Sequence, residues 1–569
     1  MRKLRWLFLT VAAIAFAGWL FAPGSGPRIA QDSVLVLDLE GEFIESAAPP
    51  VFARVFGVRG RPFVSVLSEL AKAERDERLA TVVLRIRSLS AGWAKAQELR
   101  DAITAVSAAG RRTVAYLELA SFGANLEYYV ASAADEVYAA PAARAPVVGL
   151  AAEYLFLGGL WESFGVDVEV ERIGRYKSAA EAFAGREMSE ATREMANSLL
   201  DSVDAQFVAG IASGRELPEQ AVRNAIAEAP VDPAEMKRWG LLDGVLQLDE
   251  LIDQLGGGEV VHGDDYAAVP PSDVGFEPVA RFALVYGSGN VVVGKGRTTP
   301  EGSPVLASDT VAKALEDAAE DPEIDAIIFR IDSPGGSPLA SDIVWRATQR
   351  VKERGKPIIA SFSDVAASGG YYVAAGADVI VASPASITGS IGVFVLRPVI
   401  GGALEKLDIG FDSLTRGAHA DLQLSTRPLS SASREWLRAE VRSIYDLFVE
   451  RVASGRASDA ERIDAVAQGR VWTGAQALEA GLVDELGGLR VAVAAAKRRL
   501  SLDEDADVAL VVYPPPRSLA EQLSEALGGV RQSLATTPLD RLLVRARPWL
   551  DALADGAPTA LLPFSLEIR

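Results

Sequence analysis

From Asp32 onward, short apolar runs alternate with stretches whose apolar positions recur at helical spacing. Residues 33–39, 81–86, 113–119 and 136–140 carry the strand pattern, and 63–75 and 94–109 carry the helix pattern between them. A second series comes next, with strands predicted at 282–286, 326–331, 357–362 and 379–382 and crossover helices at 309–319 and 339–354. Alternation of this kind predicts an α/β chain of parallel strands joined by helical crossovers. Residues 267–279, a connection containing Pro, Asp and Gly, form the natural boundary between the two series. Each series ends in a long helical stretch, 189–213 and 430–454, expected to project from its core and either meet other subunits or stay solvated.

The two series are copies. Phe122-Gly123-Ala124-Asn125-Leu126-Glu127-Tyr128-Tyr129-Val130-Ala131 matches Val365-Ala366-Ala367-Ser368-Gly369-Gly370-Tyr371-Tyr372-Val373-Ala374, with Ser368 lying 243 residues after Asn125. The same offset sets Lys177 against Ala420. Ala212-Ser213-Gly214-Arg215 and Gly240-Leu241-Leu242-Asp243 recur 241 residues later as Ala453-Ser454-Gly455-Arg456 and Gly481-Leu482-Val483-Asp484. A near-constant offset marks duplication, with small indels absorbing the drift. The copies have diverged reciprocally: one has the lysine without the serine, the other the serine without the lysine.

Composition narrows the chemistry. The 569 residues, 49% hydrophobic and 24% charged, suit large buried cores. A formal net charge of −20 argues against a nucleic-acid partner. Cysteine is absent and only His262 and His419 exist, which removes thiolate chemistry and disfavours both a zinc site and a Ser-His-Asp triad. No cofactor or metal is expected. At the N-terminus, basic residues 1–5 precede an uncharged apolar run at 6–21 and a Pro/Gly-rich stretch to Pro27. We read residues 1–27 as an uncleaved signal anchor that keeps the basic end in the cytoplasm and puts the rest across the membrane.

With histidine nearly absent, a serine nucleophile needs another base, and a lysine desolvated by apolar neighbours can be one. Ser368 sits among small residues at a predicted loop-to-helix junction, where the amides after it face whatever it attacks. Lys177, beside Tyr176, Ser178, Ala179 and Ala180, has uncharged neighbours. An isolated Tyr-Lys-Ser is ordinarily an exposed loop; the reciprocal loss between the copies is what couples it to Ser368. Asp332-Ser333-Pro334-Gly335-Gly336-Ser337 comes directly after a strand and reads first as a turn, and also as a place where an N–H could join that of Gly369 in holding an oxyanion. The first copy has Ser88-Leu89-Ser90-Ala91 there. Ser390, in Thr388-Gly389-Ser390-Ile391-Gly392, suits either strand-end packing or orientation of the lysine amine.

Together, Tyr176-Lys177-Ser178-Ala179, Asp332-Ser333-Pro334-Gly335-Gly336, Ala367-Ser368-Gly369-Gly370-Tyr371 and Thr388-Gly389-Ser390-Ile391-Gly392 resemble the signal peptide peptidase A family in its long, duplicated bacterial form. The likeness runs from about Asp32 to about Lys497 and includes Gln468-Gly469-Arg470-Val471-Trp472-Thr473-Gly474. It implies two tandem ClpP/crotonase-like repeats, 32–266 and 280–497, behind the anchor, with 498–569 a C-terminal extension of unknown role. It further implies a homotetrameric Ser/Lys endopeptidase on the periplasmic side of the bacterial inner membrane, acting on released signal peptides and other apolar peptides. Carried over by position, Ser368 is the nucleophile, Lys177 the general base, Ser390 its partner, and Gly336 and Gly369 the oxyanion donors. The competing readings are a crotonase-like acyl-CoA enzyme, which has no use for the divided pair, and a non-catalytic peptide-binding scaffold at the membrane.

Overall fold

Runs such as Val82-Val83-Leu84 and Ile327-Ile328-Phe329 have no polar face, so both sides of the strand need cover, which a parallel sheet between helices provides. In the computed structural model, which describes residues 28–46, 60–256, 258–296, 298–299, 303–515 and 560–561, all six of these side chains are fully buried. They lie in two separate sheets.

The first half is built from β1 (Ser33–Ile44), α1 (Phe63–Arg75), β2 (Leu79–Ser90), α2 (Trp93–Ala108), β3 (Arg112–Leu117), α3 (Asn125–Ala131) and β4 (Glu136–Ala139). Its strands run parallel in the order β1-β2-β3-β4, extended by Gly244–Val245 beside β4 and by Arg61–Pro62 and Val260–His262 on the other side of β1. A strand outside this sheet, β5 (Asp167–Ile173), and a long helix, α4 (Glu190–Gly214), come after it.

The second half repeats the plan with β6 (Ala280–Ser288), α5 (Ser308–Glu320), β7 (Ala326–Ser333), α6 (Pro338–Glu353), β8 (Ile358–Ala367), α7 (Gly369–Ala374) and β9 (Val379–Ala382). It adds β10 (Ile387–Gly389), β11 (Val393–Val399), a long helix α8 (Ser431–Gly455), β12 (Val471–Thr473) and β13 (Val508–Tyr513). The order is β12-β10-β8-β7-β6-β13, with β9 also on β8, and every pairing but β10–β12 is parallel. Thus Val508–Tyr513, within the stretch set apart as a C-terminal extension, supplies an edge strand; its Val-Ala-Leu-Val-Val-Tyr run suits that position.

Equivalent bonds recur in both halves. Tyr128 Oη donates to the Leu241 carbonyl at 2.6 Å, and Tyr371 Oη to that of Leu482 at 2.8 Å. Arg215 pairs with Asp243, and Arg456 with Asp484. These two acids also accept from the Val137 and Ile380 amides at the start of β4 and β9.

Two features join the halves. Strands β5 and β11 pair antiparallel, Asp167 opposite Val399 through Ile173 opposite Val393. The long helices, expected to project, instead lie against protein, each partly on the opposite half. On α4, Met195 and Leu199 pack with Ala367, Ile387 and Val471, while Phe207 and Ile211 enter the first half's core. On α8, Arg434 pairs with Glu169 and Arg438 Nε lies 2.7 Å from Glu171, both acids on β5. The correction has a plain cause: the apolar stripe of α4 runs nearly its whole length, and such a stripe needs cover.

The apolar run at 6–21, expected as a membrane anchor, lies outside the described residues, and among those described no helix is long and apolar enough to cross a membrane.

Replacing Leu199, which is fully buried between the halves, by Ala is expected to cost about 2–5 kcal/mol of stability, read from a denaturant midpoint. A change below about 0.5 kcal/mol would show that this contact contributes no more than a surface position.

Candidate active site

Ser368 directly follows β8 and caps α7, with backbone φ 54° and ψ −117°. Few non-glycine residues adopt this strained conformation, and it turns a strand sharply into a helix so that the side chain stands at the bend. Bonds on either side hold it: the Ser368 N–H donates to the Gly389 carbonyl at 2.8 Å, and the Tyr372 N–H to the Ser368 carbonyl at 2.9 Å. Ser390 has the same sign of φ, 53°, and its N–H donates to Arg470 O at 2.7 Å.

Lys177 arrives from the other half on the loop after β5, and Ser390 lies just before β11. The β5–β11 pairing therefore carries the lysine to the serines. Its Nζ lies 2.7 Å from Ser368 Oγ, 2.9 Å from Ser390 Oγ and 2.9 Å from the Ser390 carbonyl. All three residues are fully buried. No carboxylate bonds to this amine, and burial alone holds its pKa well below the usual lysine value of 10.5. A neutral amine accepts a proton; an ammonium cannot.

The lysine's stem needs room, and glycine provides it. Gly469, at φ 73°, lies so close that an added Cβ would stand 2.5 Å from both Lys177 Cβ and Lys177 N. The Tyr176 N–H donates to the neighbouring Gln468 carbonyl at 2.8 Å, which fixes the loop. Gly469 is a contributor that sequence reasoning missed as such. Its motif is part of the family likeness, but nothing in the sequence says that it faces residue 177.

Gly335 and Gly336 follow β7 at φ 105° and 154°, and Gly336 presses against Val291, whose carbonyl would meet a Gly336 Cβ at 2.2 Å. Only glycine makes that approach. A Cβ built on Gly369 would be 3.0 Å from Gly336 N, so the two backbone segments expected to hold an oxyanion are adjacent. The short strand Gly335–Gly336 also pairs antiparallel with Ala560–Leu561 near the C-terminus.

The first half's counterpart is closed. Asn125 Nδ2 donates to the Gly149 carbonyl at 2.8 Å and Asn125 Oδ1 accepts from the Val148 N–H at 2.9 Å. In place of a glycine turn, β2 continues through Ser90, and the Leu89 N–H donates to Glu127. Neither histidine enters the site: His262 is exposed at a strand end, and His419 lies beside Ser433 and Trp436.

Comparison with known proteins fits this duplicated arrangement. The profile of peptidase family S49 matches residues 107–260 and again residues 350–503. The chain belongs to peptidase family S49. Its relatives include a protein named serine protease SPPA, chloroplastic, from Arabidopsis thaliana, 32% identical over 518 residues covering 89% of this chain and 74% of the relative. Protease 4 of Haemophilus influenzae is 29% identical over 78% of this chain and 74% of its own length, and Protease 4 of Salmonella typhi 26% identical over 94% and 90%. As an S49 member the chain is a serine protease, and the two profile matches are the two repeats of its sequence.

Gly469→Ala in this S49 protease is expected to displace Lys177 and lower the hydrolysis rate about 100-fold, as a shift of roughly 1 Å at a reacting group does. A variant of unchanged rate would mean that Gly469 does not set the lysine's place.

Proposed function

We propose that this chain is a membrane-anchored endopeptidase with a Ser/Lys dyad divided between its two repeats, 32–266 and 280–497, of ClpP/crotonase-like plan, hydrolysing cleaved signal peptides and other apolar peptides. The observation that carries the reading is the 2.7 Å contact between a buried, uncharged-partnered amine and a strained serine from opposite halves.

In this mechanism Ser368 Oγ attacks the scissile carbonyl carbon while its proton passes to Lys177 Nζ. The carbonyl oxygen becomes an oxyanion that accepts from the Gly336 and Gly369 N–H groups, each such donor lowering the barrier by about 2.7–4 kcal/mol. Collapse breaks the C–N bond, the lysine returns its proton to the leaving amine, and an acyl-serine ester remains. Water then loses a proton to Lys177 and attacks the ester; as the C–Oγ bond breaks and the acid leaves, the lysine returns that proton to Ser368 Oγ, which restores both the serine and the neutral amine. Ser390 Oγ, bonded to the amine, keeps it aimed.

The surroundings suggest the substrate class. An extended peptide taking the place of Ala560–Leu561 beside Gly335–Gly336 would make the same antiparallel main-chain bonds. Val293 and Leu339, on the segments flanking the turn, expose 55% and 63% of their surface, which suits apolar side chains. The reading places the span at 6–21, the catalytic part on the periplasmic side of a bacterial inner membrane, and the chain in a homotetramer.

Ser368→Ala and Lys177→Ala are each expected to abolish hydrolysis of an apolar signal-peptide substrate, and Ser368→Ala to abolish labelling by a fluorophosphonate; wild-type-like turnover in either variant ends the dyad. The active form has Lys177 neutral, so activity is present above the lysine's lowered pKa and lost as pH falls through it. A profile flat from about pH 5 to 9 would contradict a lysine base.

A further inference from the structure

The first half inserts a second lysine into the second half, and the dyad does not use it. Lys95, in the first turn of α2, has a side chain only 4% exposed, with Nζ 2.8 Å from Asp332 Oδ2 and 2.6 Å from Asp364 Oδ2. Both acids sit at informative places. Asp332 lies four residues before Gly336, and Asp364 four residues before Ser368.

Between these two strands the register breaks. Ile331 pairs with Phe362, but the next pair is Ser333 with Ala366, so β8 spends four residues where β7 spends two. The extra residues make a bulge, a device that bends a strand and re-aims the residues beyond it. Here β8 also changes partner: Ile359 to Phe362 pair with β9, and Val365 to Ala367 with β10. Every residue of the bulge is held by a specific group. Ser363 Oγ donates to Glu45 Oε1 at 2.7 Å, and the Val365 N–H donates to Asp332 Oδ1 at 3.1 Å. Asp364 accepts from the Gly92 and Lys95 N–H groups at the start of α2, each at 3.0 Å, as well as from the Lys95 ammonium.

The charges around this point fall into two groups. Glu45 and Glu98 flank Arg330, whose Nη2 lies 2.7 and 2.6 Å from them, and Lys95 is left to Asp332 and Asp364. Burial pulls the Lys95 ammonium toward neutrality, but Asp332, Asp364 and Glu45 more than offset it, so its pKa stands above the ordinary value. At the offset of 243 residues the first half has Leu89 and Ser121 in place of the two acids. The carboxylate pair belongs only to the copy that carries the serine.

We propose that Lys95 is a positioning residue for the second half's reaction centre, clamping Asp332 to Asp364 and so fixing the turn that carries Gly336 relative to the strand that delivers Ser368. This rests on reading Ser368 and Gly336 as nucleophile and oxyanion donor. Lys95 touches neither; it acts through the two aspartates. Without its ammonium, two adjacent carboxylates repel one another across the bulge, and the spacing they set opens.

The test compares wild type, K95M, K95M/D332N and S368A in hydrolysis of an apolar peptide, at a temperature where each is folded by circular dichroism. K95M takes the lysine–aspartate group from a charge of −1 to −2, and K95M/D332N returns it to −1 with an amide that can donate to Asp364. The expected result is a kcat for K95M about 100-fold below wild type with KM within about threefold, and recovery of at least about tenfold in K95M/D332N. The clamp is overturned by a K95M kcat within about threefold of wild type, or by a double variant no better than K95M. If K95M does not fold, the charge-balanced double variant decides alone: kcat within about tenfold of wild type supports the clamp, and a lower value overturns it. S368A separates the two ideas. An active S368A sinks the dyad, whereas an inactive S368A beside an unaffected K95M sinks only the clamp.

Discussion

The structure turns on one contact: an amine from the first half, buried without a counter-ion, resting 2.7 Å from a serine hydroxyl of the second. An uncompensated ammonium there would be expensive, so burial favours the neutral amine, the form that can take a proton. The strand pair β5–β11, the docking of α4 and the close approach of Gly469 all serve to hold that amine in place.

The same half thus contributes two buried lysines whose surroundings send them opposite ways. Lys177 meets only hydroxyls and a carbonyl, and its pKa falls. Lys95 meets two carboxylates, and its pKa rises. Identical side chains shift in opposite directions because the partners differ, and those partners come from the other copy of the fold. The first half, with Asn125 locked onto the Val148–Gly149 backbone and no glycine turn, has kept the scaffold while giving its own site over to structural bonds. Its two buried lysines both end among its neighbour's residues, Lys177 at Ser368 and Ser390 and Lys95 at Asp332 and Asp364.

The duplication also shows in the framework around the centre. Tyr128 and Tyr371, Arg215 and Arg456, Asp243 and Asp484 make matching bonds in the two halves, so both copies retain one framework beneath different surfaces. Where the copies differ is at the strand ends, which is where α/β proteins place their chemistry.

The sequence by itself determined the alternating strands and helices, because their apolar periods are local: 63–75 and 379–382 match observed elements residue for residue. The duplication and the coupling of Ser368 to Lys177 were legible in it too, since a constant offset and a reciprocal loss can be read without coordinates, while Ser390, Gly336 and Gly369 stood out as candidates through their motifs and the family resemblance. Tertiary structure alone decided the rest. That α4 lies against the other half, that Gly469 faces Lys177, that β13 joins the second sheet and that Lys95 finds Asp332 and Asp364 are all contacts between residues far apart in the chain. A periodic pattern reports which face of an element is buried, but not which distant surface buries it. A lone lysine in Ala94-Lys95-Ala96 carries no sign that two carboxylates wait for it on another sheet.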